Sequence, residues 1–486
     1  MESNPKIVVL GAGFAGIGAA TKLVSLGFKD VTILEASGEA GGRVANVSFG
    51  QAKVDIGAQF IHGASKVNPV YNLMKQHGLL TDLVSKKGND LIFHSKGHKV
   101  TGLFAGLVFV AGGRIIEKKH KGNLGKNLGD HFAERSEALV NKWWLSDEAK
   151  MNALNTLTVA GRFALTALGA PALNSVALNC YEYFINMGED LDMEGNMFSL
   201  ITKLLEDFPK DRLLLDRPVT QISWDGGFCD DEKRLYPVNI ECENGEKILC
   251  DHVVVTFSLG CLKAAPATMF DPQLPDDKRE AIEKLGFGCV AKIFLLYEEA
   301  FWERDAQSII LMWDDETPAS LSDASPQWQK NIQLFTVMRP REKFGDVLIG
   351  WCCNRVAQQI QNLTEAELSD ALTSNFRRFM GVPSIPCPKT IMRTQWQSKP
   401  FVRGGYSYVP PGVDAAIMDQ LAAPLSSRKR PTEDLQVLFA GEATIKTQYS
   451  TVQGALMSGH REAERLARHY GKPVPDDESS TSCSLQ

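Results

Sequence analysis

The sequence predicts an α/β fold organised around a dinucleotide-binding unit, and three observations predict it. An apolar run, Ile7 to Leu10, ends in Gly11-Ala12-Gly13-Phe14-Ala15-Gly16. An amphipathic segment follows, with Ile17, Ala20, Leu23 and Val24 at helical spacing and Gly27 closing it. A second apolar run, Val31-Thr32-Ile33-Leu34, ends in Glu35, 19 residues beyond Gly16 (35 − 16). Strand, glycine turn, helix, strand and acid stand in the order that holds a dinucleotide.

Each part has a physical reason. Gly11 lets the chain turn, and Gly13 lets the backbone approach a pyrophosphate, with Ala15 beside it. Gly16 lets helix and strand pack closely, and the positive helix end faces the anion. A carboxylate at Glu35 takes the ribose hydroxyls of an adenosine. Six residues on, Gly41-Gly42-Arg43 gives a second close backbone approach and a fork of guanidinium donors for phosphate. A nicotinamide dehydrogenase does not need this second clamp, and it stays as the fallback reading.

At this point the sequence resembles the FAD-dependent amine oxidases. The resemblance rests on Gly41-Gly42-Arg43, on Asp55-Ile56-Gly57-Ala58-Gln59-Phe60-Ile61-His62-Gly63 and on Lys292-Ile293-Phe294-Leu295. It continues through Trp396, Arg403-Gly404-Gly405-Tyr406-Ser407-Tyr408-Val409 and Phe439-Ala440-Gly441-Glu442-Ala443, in the family's order over nearly the whole chain. It implies a Rossmann-like FAD-binding domain joined to a mixed sheet-and-helix substrate domain, with the flavin ring between them.

Bulk composition agrees. The 486 residues suffice for two domains with full cores, and 44 % hydrophobic with 23 % charged residues is ordinary globular usage. A net charge of −6 argues against nucleic acid and suits a cationic substrate. The longest apolar window, Leu103 to Ala111, is too short to span a bilayer, so no transmembrane segment is expected and a core strand is. The basic run Arg114–Lys121 reads as solvated surface. The chain enters its first strand without a signal peptide, and its ten cysteines show no metal-ligand spacing. Reduced thiols, a cytoplasmic location and no metal site are expected.

In chain order, residues 1–85, 206–288 and 389–471 are expected to form the FAD-binding domain. Residues 86–205 and 289–388 form the substrate domain, and 472–486, rich in Pro, Ser and acids, a disordered tail. Arg217-Pro218-Val219 resembles the family segment whose valine backbone meets the adenine. A final helix is expected from about Gly454 to His469.

An amine oxidase leaves the hard chemistry to its cofactor, so the protein supplies positioning, amine deprotonation and oxygen access. Lys292, mid-strand among Val290, Ala291, Ile293 and Phe294, is a lysine whose burial would lower its pKa. The matching lysine of the family holds a water at the reactive flavin nitrogen. A histidine such as His62 stands at the tunnel mouth of the animal polyamine oxidases, where it can bind or deprotonate the substrate amine. The resemblance also implies FAD contacts from Gly57, Ala58, Gln59, Phe60, Trp396 and Glu442, and from Thr451 and Val452 at the pyrimidine edge. Tyr449 is either an aromatic wall for a cationic chain or a core residue, with Ser450 beside it. Glu182, Glu189, Asp190 and Asp192 are candidates for the distal ammonium ions, Glu182 foremost.

Departures sharpen the expectation. Monoamine oxidases carry a flavin-linked cysteine a few residues before a Pro-Pro-Gly. Here Arg403-Gly404-Gly405-Tyr406 precedes Pro410-Pro411-Gly412 without one, so FAD is expected to be non-covalent. The animal polyamine oxidases fit better, through Gly286-Phe287-Gly288 and Tyr449-Ser450-Thr451. The expected activity is oxidation of a secondary amine of spermine or an N1-acetylated polyamine, with oxygen as acceptor. The alternatives are a histone-lysine demethylase and a flavin-holding interaction protein without turnover. Cys483-Ser484-Leu485-Gln486 has the form of a prenylation box but lacks an upstream polybasic signal, and no Ser-Lys-Leu-type ending is present.

Overall fold

A computed structural model of the chain describes residues 4–80, 88–100, 102–193, 197–322, 328–427, 429 and 434–475. The prenylation box at Cys483 and most of the tail lie outside the described residues.

Val8, Val9 and Leu10 are buried because both faces of their strand are covered. Lys6–Leu10 sits at the centre of a five-stranded parallel sheet. Asp30–Leu34 and then Leu213–Leu214 lie on one side of it; His252–Val255 and then Val437–Phe439 lie on the other. The strand order reverses at Lys6–Leu10, which opens a crevice at the carboxyl ends of the strands. The helix Phe14–Ser25 covers one face and packs against the closing helix Val452–His469. Met193, Met197, Leu200 and Ile201 share the core beneath them.

A second, seven-stranded mixed sheet carries the lysine strand Val290–Tyr297. That strand pairs antiparallel with Asp346–Cys353 and Thr390–Arg393. Leu334–Val337, Ala306–Met312, Asn89–His94 and His98–Lys99 complete the sheet. Its core holds Ile293, Leu295, Leu348, Phe376 and Trp396.

Two expectations are corrected. The apolar window Leu103–Ala111 is not a core strand but part of the helix Gly102–Ile116. A continuous apolar run does not reveal its period, and here the buried positions Ala105, Val108, Gly112 and Ile116 recur at helical spacing. Small residues on that face allow close contact with the helix Asp147–Leu168, where Gly112 faces Ala160. The closing helix starts two residues earlier than Gly454, because Thr451 caps it: its Oγ1 accepts from the Gly454 N–H at 3.0 Å.

Candidate active site

The glycine turn forms a cradle at the end of the first strand. A Cβ on Gly16 would lie 1.8 Å from the Gly11 carbonyl oxygen, so no larger residue fits there. The helix that follows has Gly13 as its N-cap and no side-chain cap bond, which leaves its first N–H groups aimed at the crevice. Glu35 is buried, and its Oε2 accepts from the Ala12 N–H at 2.7 Å. Gly41 forms a bridge with Gly13 and donates to the Ala12 carbonyl at 2.8 Å, so Gly42 and Arg43 join the same cradle. The Arg217 N–H donates to the Glu35 carbonyl at 2.8 Å, which brings Val219 alongside. An uncapped, positively polarised helix end, an acid and an arginine around one crevice suit the pyrophosphate and ribose of FAD.

The Arg43 guanidinium is partly buried and is engaged by the protein itself. Its Nη1 pairs with Glu442 at 2.8 Å and donates to the Gly405 carbonyl at 2.7 Å. Glu442 is buried and also accepts from Ser407 Oγ at 2.6 Å and from the Ser450 N–H at 3.0 Å. Ser450 is held with φ +65, a conformation that its bond to Glu442 over-determines. A cavity beside this pair is lined by Arg43, Val255, Phe257, Gly441 and Glu442.

Lys292 is 4 % exposed. Its Nζ donates to the Asp55 carbonyl at 2.7 Å and to Gln59 Oε1 at 2.6 Å. It lies 4.9 Å from the centre of the Trp351 ring, its cross-strand partner. Burial lowers its pKa to about 8, against the opposing pull of Asp55 and Asp192. Gln59 is itself anchored, donating to both carboxylate oxygens of Asp192 at 3.0 Å. Gly57 lies where a Cβ would meet the Arg43 carbonyl at 1.9 Å, and the Ala58 N–H donates to that carbonyl at 3.1 Å. The loop Gly57–Gln59 therefore ties the nucleotide cradle to the lysine.

His62 is half-exposed and its Nδ1 lies 2.8 Å from Asp190 Oδ2. Partial burial opposes it, but the bond and charge of His62 hold the Asp190 carboxyl below the usual range. Phe60 stands 6.2 Å from the His62 ring and 6.1 Å from Trp351, so it spans the two groups. Trp396 is buried, donates to the Ile56 carbonyl at 3.1 Å and packs against Gly57.

The other candidates sort differently. Tyr449 is buried in the core, with its hydroxyl donating to the Cys180 carbonyl at 2.9 Å and its ring edge-on to Phe184. Glu182 accepts from the Gly122 N–H and from Asn179, both at 3.3 Å, rather than from His62 or Lys292. Asp190 and Asp192 are the acids of that stretch that meet the candidate catalytic groups. Three participants escaped sequence reasoning. Trp351 carries no local signal, since only the strand register sets it against Lys292. Ser407 is a small polar residue within a quoted motif. Glu117 follows the apolar helix, and its carboxyl is raised by partial desolvation and by Asp190.

Among the described residues no cluster of His, Cys, Asp or Glu could hold a metal, and no helix is long and apolar enough to cross a membrane.

Comparison with known proteins agrees with this geometry. The profile described as "Flavin containing amine oxidoreductase" matches residues 14–467. The chain is 35 % identical to the peroxisomal N(1)-acetyl-spermine/spermidine oxidase of Homo sapiens, over 97 % of this chain and 96 % of that one. The Bos taurus protein of the same name is 36 % identical, over 95 % and 94 %. The lysine-specific histone demethylase 1 homolog 3 of Arabidopsis thaliana is 27 % identical over 95 % of this chain but only 30 % of its own length.

Proposed function

We propose a function from one premise, that the chain belongs to the flavin-containing amine oxidoreductases: it is an FAD-dependent polyamine oxidase. The substrate is spermine or an N1-acetylated polyamine, oxidised at a secondary amine. When bound, FAD would supply the two-electron acceptor for a hydride equivalent from the carbon beside the amine, with oxygen as final acceptor and hydrogen peroxide as product. Water hydrolyses the resulting imine to an aminoaldehyde and a shorter amine.

The observation that carries this reading is Lys292, a buried lysine held between Asp55 and Gln59 with a pKa of about 8. A group so poised can hold a water and exchange a proton near working pH. His62, oriented by Asp190, receives the substrate ammonium and takes its proton. Phe60 and Trp351 supply aromatic faces beside a cationic chain. Gly11, Gly13, Ala15, Gly16, Glu35, Gly42, Arg43 and Val219 hold the dinucleotide, and Gly57 to Phe60, Trp396, Glu442, Thr451 and Val452 hold the flavin end. FAD is non-covalent in this reading. The division into two discontinuous domains is part of the proposal, supported by the two distinct sheets that carry the nucleotide strand Lys6–Leu10 and the lysine strand Val290–Tyr297. A cytoplasmic location is part of the proposal, and the nine described cysteines, all free, suit a reducing compartment.

The test is anaerobic mixing of the yellow protein with spermine and, separately, N1-acetylspermine, following flavin bleaching. Fast bleaching by either, slowed in Lys292→Met, supports the proposal. An intact flavin that neither substrate bleaches refutes it.

A further inference from the structure

The apolar helix Gly102–Ile116 and the basic segment after it play no part in the chemistry above. One face of the helix is buried, through Ala105, Val108, Gly112 and Ile116. The opposite face leaves Phe104 41 %, Leu107 65 % and Val110 52 % exposed, in one stripe at three-residue spacing. Large apolar side chains exposed contiguously mark an interaction surface. The ring of Trp143 lies 6.0 Å from Phe104, which sets the turn after the helix Leu128–Asn141 beside the stripe. Trp144, next along that turn, is fully exposed.

The stripe does not end in neutral surface. Arg114 follows Val110 by one helical turn, and Lys118, Lys119 and Lys121 come just past the helix end, all exposed. Among the described residues none of these four cations is paired with a carboxylate. In a chain of net charge −6 the cluster is a local reversal of sign.

We infer that this face docks on an anionic lipid surface. A bilayer is apolar within and negative at its headgroups, which matches an apolar stripe running into unpaired cations. Phe104, Leu107, Val110 and Trp144 enter the headgroup boundary, and Arg114, Lys118, Lys119 and Lys121 meet the lipid phosphates. A helix of 15 residues, about 22 Å long, is too short to span and lies in the surface plane.

The inference stands apart from the reaction and is tested on the holoprotein. Co-sedimentation with phosphatidylcholine vesicles is measured with and without phosphatidylserine, at low and high salt. Binding is expected with phosphatidylserine at low salt, and loss at high salt. Phe104→Ser with Leu107→Ser, and separately Arg114→Gln with Lys118→Gln, should each weaken binding by roughly tenfold or more. Flavin content, melting and turnover should be unchanged in both. Binding that ignores phosphatidylserine, or that survives both pairs of substitutions, overturns the inference. So does a dimer in sedimentation that Leu107→Ser dissociates, which would assign the stripe to a second copy of the chain.

Discussion

Lys292→Met separates a catalytic lysine from a structural one, because its two effects on stability have opposite signs. The wild-type pKa of about 8 lies below the ordinary 10.5, since burial disfavours the ammonium. The unfolded chain therefore binds this proton more tightly than the folded one does. Below pH 8 the folded state carries the full penalty, about 3 kcal/mol for a gap of about 2.5 at 1.36 kcal/mol each. Between about pH 8 and 10.5 that penalty fades, so wild-type stability rises with pH through this window. Methionine has a similar length and no charge, so it removes the penalty altogether.

Against this gain, the substitution takes the donor away from Gln59 Oε1 and the Asp55 carbonyl, at roughly 1–3 kcal/mol each. At pH 7 the two terms are of similar size, and the variant should melt within about 3 °C of wild type. At pH 9.5 wild type gains while the variant does not, so the variant should fall behind. Turnover should drop by about 10²–10⁴ at either pH, the range for a positioned proton-transfer group. The assays are thermal melting at the two pH values, oxygen uptake and stopped-flow flavin reduction. A variant that turns over at the wild-type rate, or loses equal stability at both pH values, would show that Lys292 only pins the loop.

Other substitutions probe the rest of the site. Gly16→Ala should abolish flavin retention, because its Cβ would sit 1.8 Å from the Gly11 carbonyl; absorbance of the purified protein reads this directly. Arg43→Ala leaves the Glu442 carboxylate buried without its cation, and should lower stability by about 3 kcal/mol and release FAD, measured by melting and flavin fluorescence. His62→Ala frees Asp190 to rise toward the ordinary carboxylate range; acid stability that Asp190 supplies above that range should shrink, read as an earlier unfolding limb on acid titration. Thr451→Ala removes the cap of the closing helix and should cost about 1 kcal/mol in denaturant unfolding.

Much of this architecture was legible because it is written locally. The glycine turn, its helix and Glu35 fall within 35 residues, where spacing alone sets geometry. Lys292 was legible for a similar reason, since a charge inside an apolar run has few solvated places to go. Trp351 was not legible, because its meeting with Lys292 depends on the register of two strands nearly 60 residues apart. The choice among Glu182, Asp190 and Asp192 was not legible either. Four acids within eleven residues look alike in sequence, and only the pairing of Phe60–Ile61 with Leu191–Asp192 brings the last two to Gln59 and His62. The helix Gly102–Ile116 was misread because it is apolar on its exposed face as well as its buried one, which erases the period that a sequence reader uses.

That same short strand pair explains how cofactor cradle and substrate entrance stay in register. Gly57 and Ala58 are fixed to Arg43 by close backbone contact, whereas Gln59 is fixed to Asp192 and Lys292 by side-chain bonds. His62, three residues on, is fixed to Asp190. A displacement at Arg43 therefore reaches the lysine through two residues of rigid loop, and the histidine through three more. Substitutions at Arg43 and His62 should then be less than independent in their effects on turnover, although the two side chains share no bond. A double-mutant cycle would measure that coupling, and strict additivity would mean the loop transmits nothing.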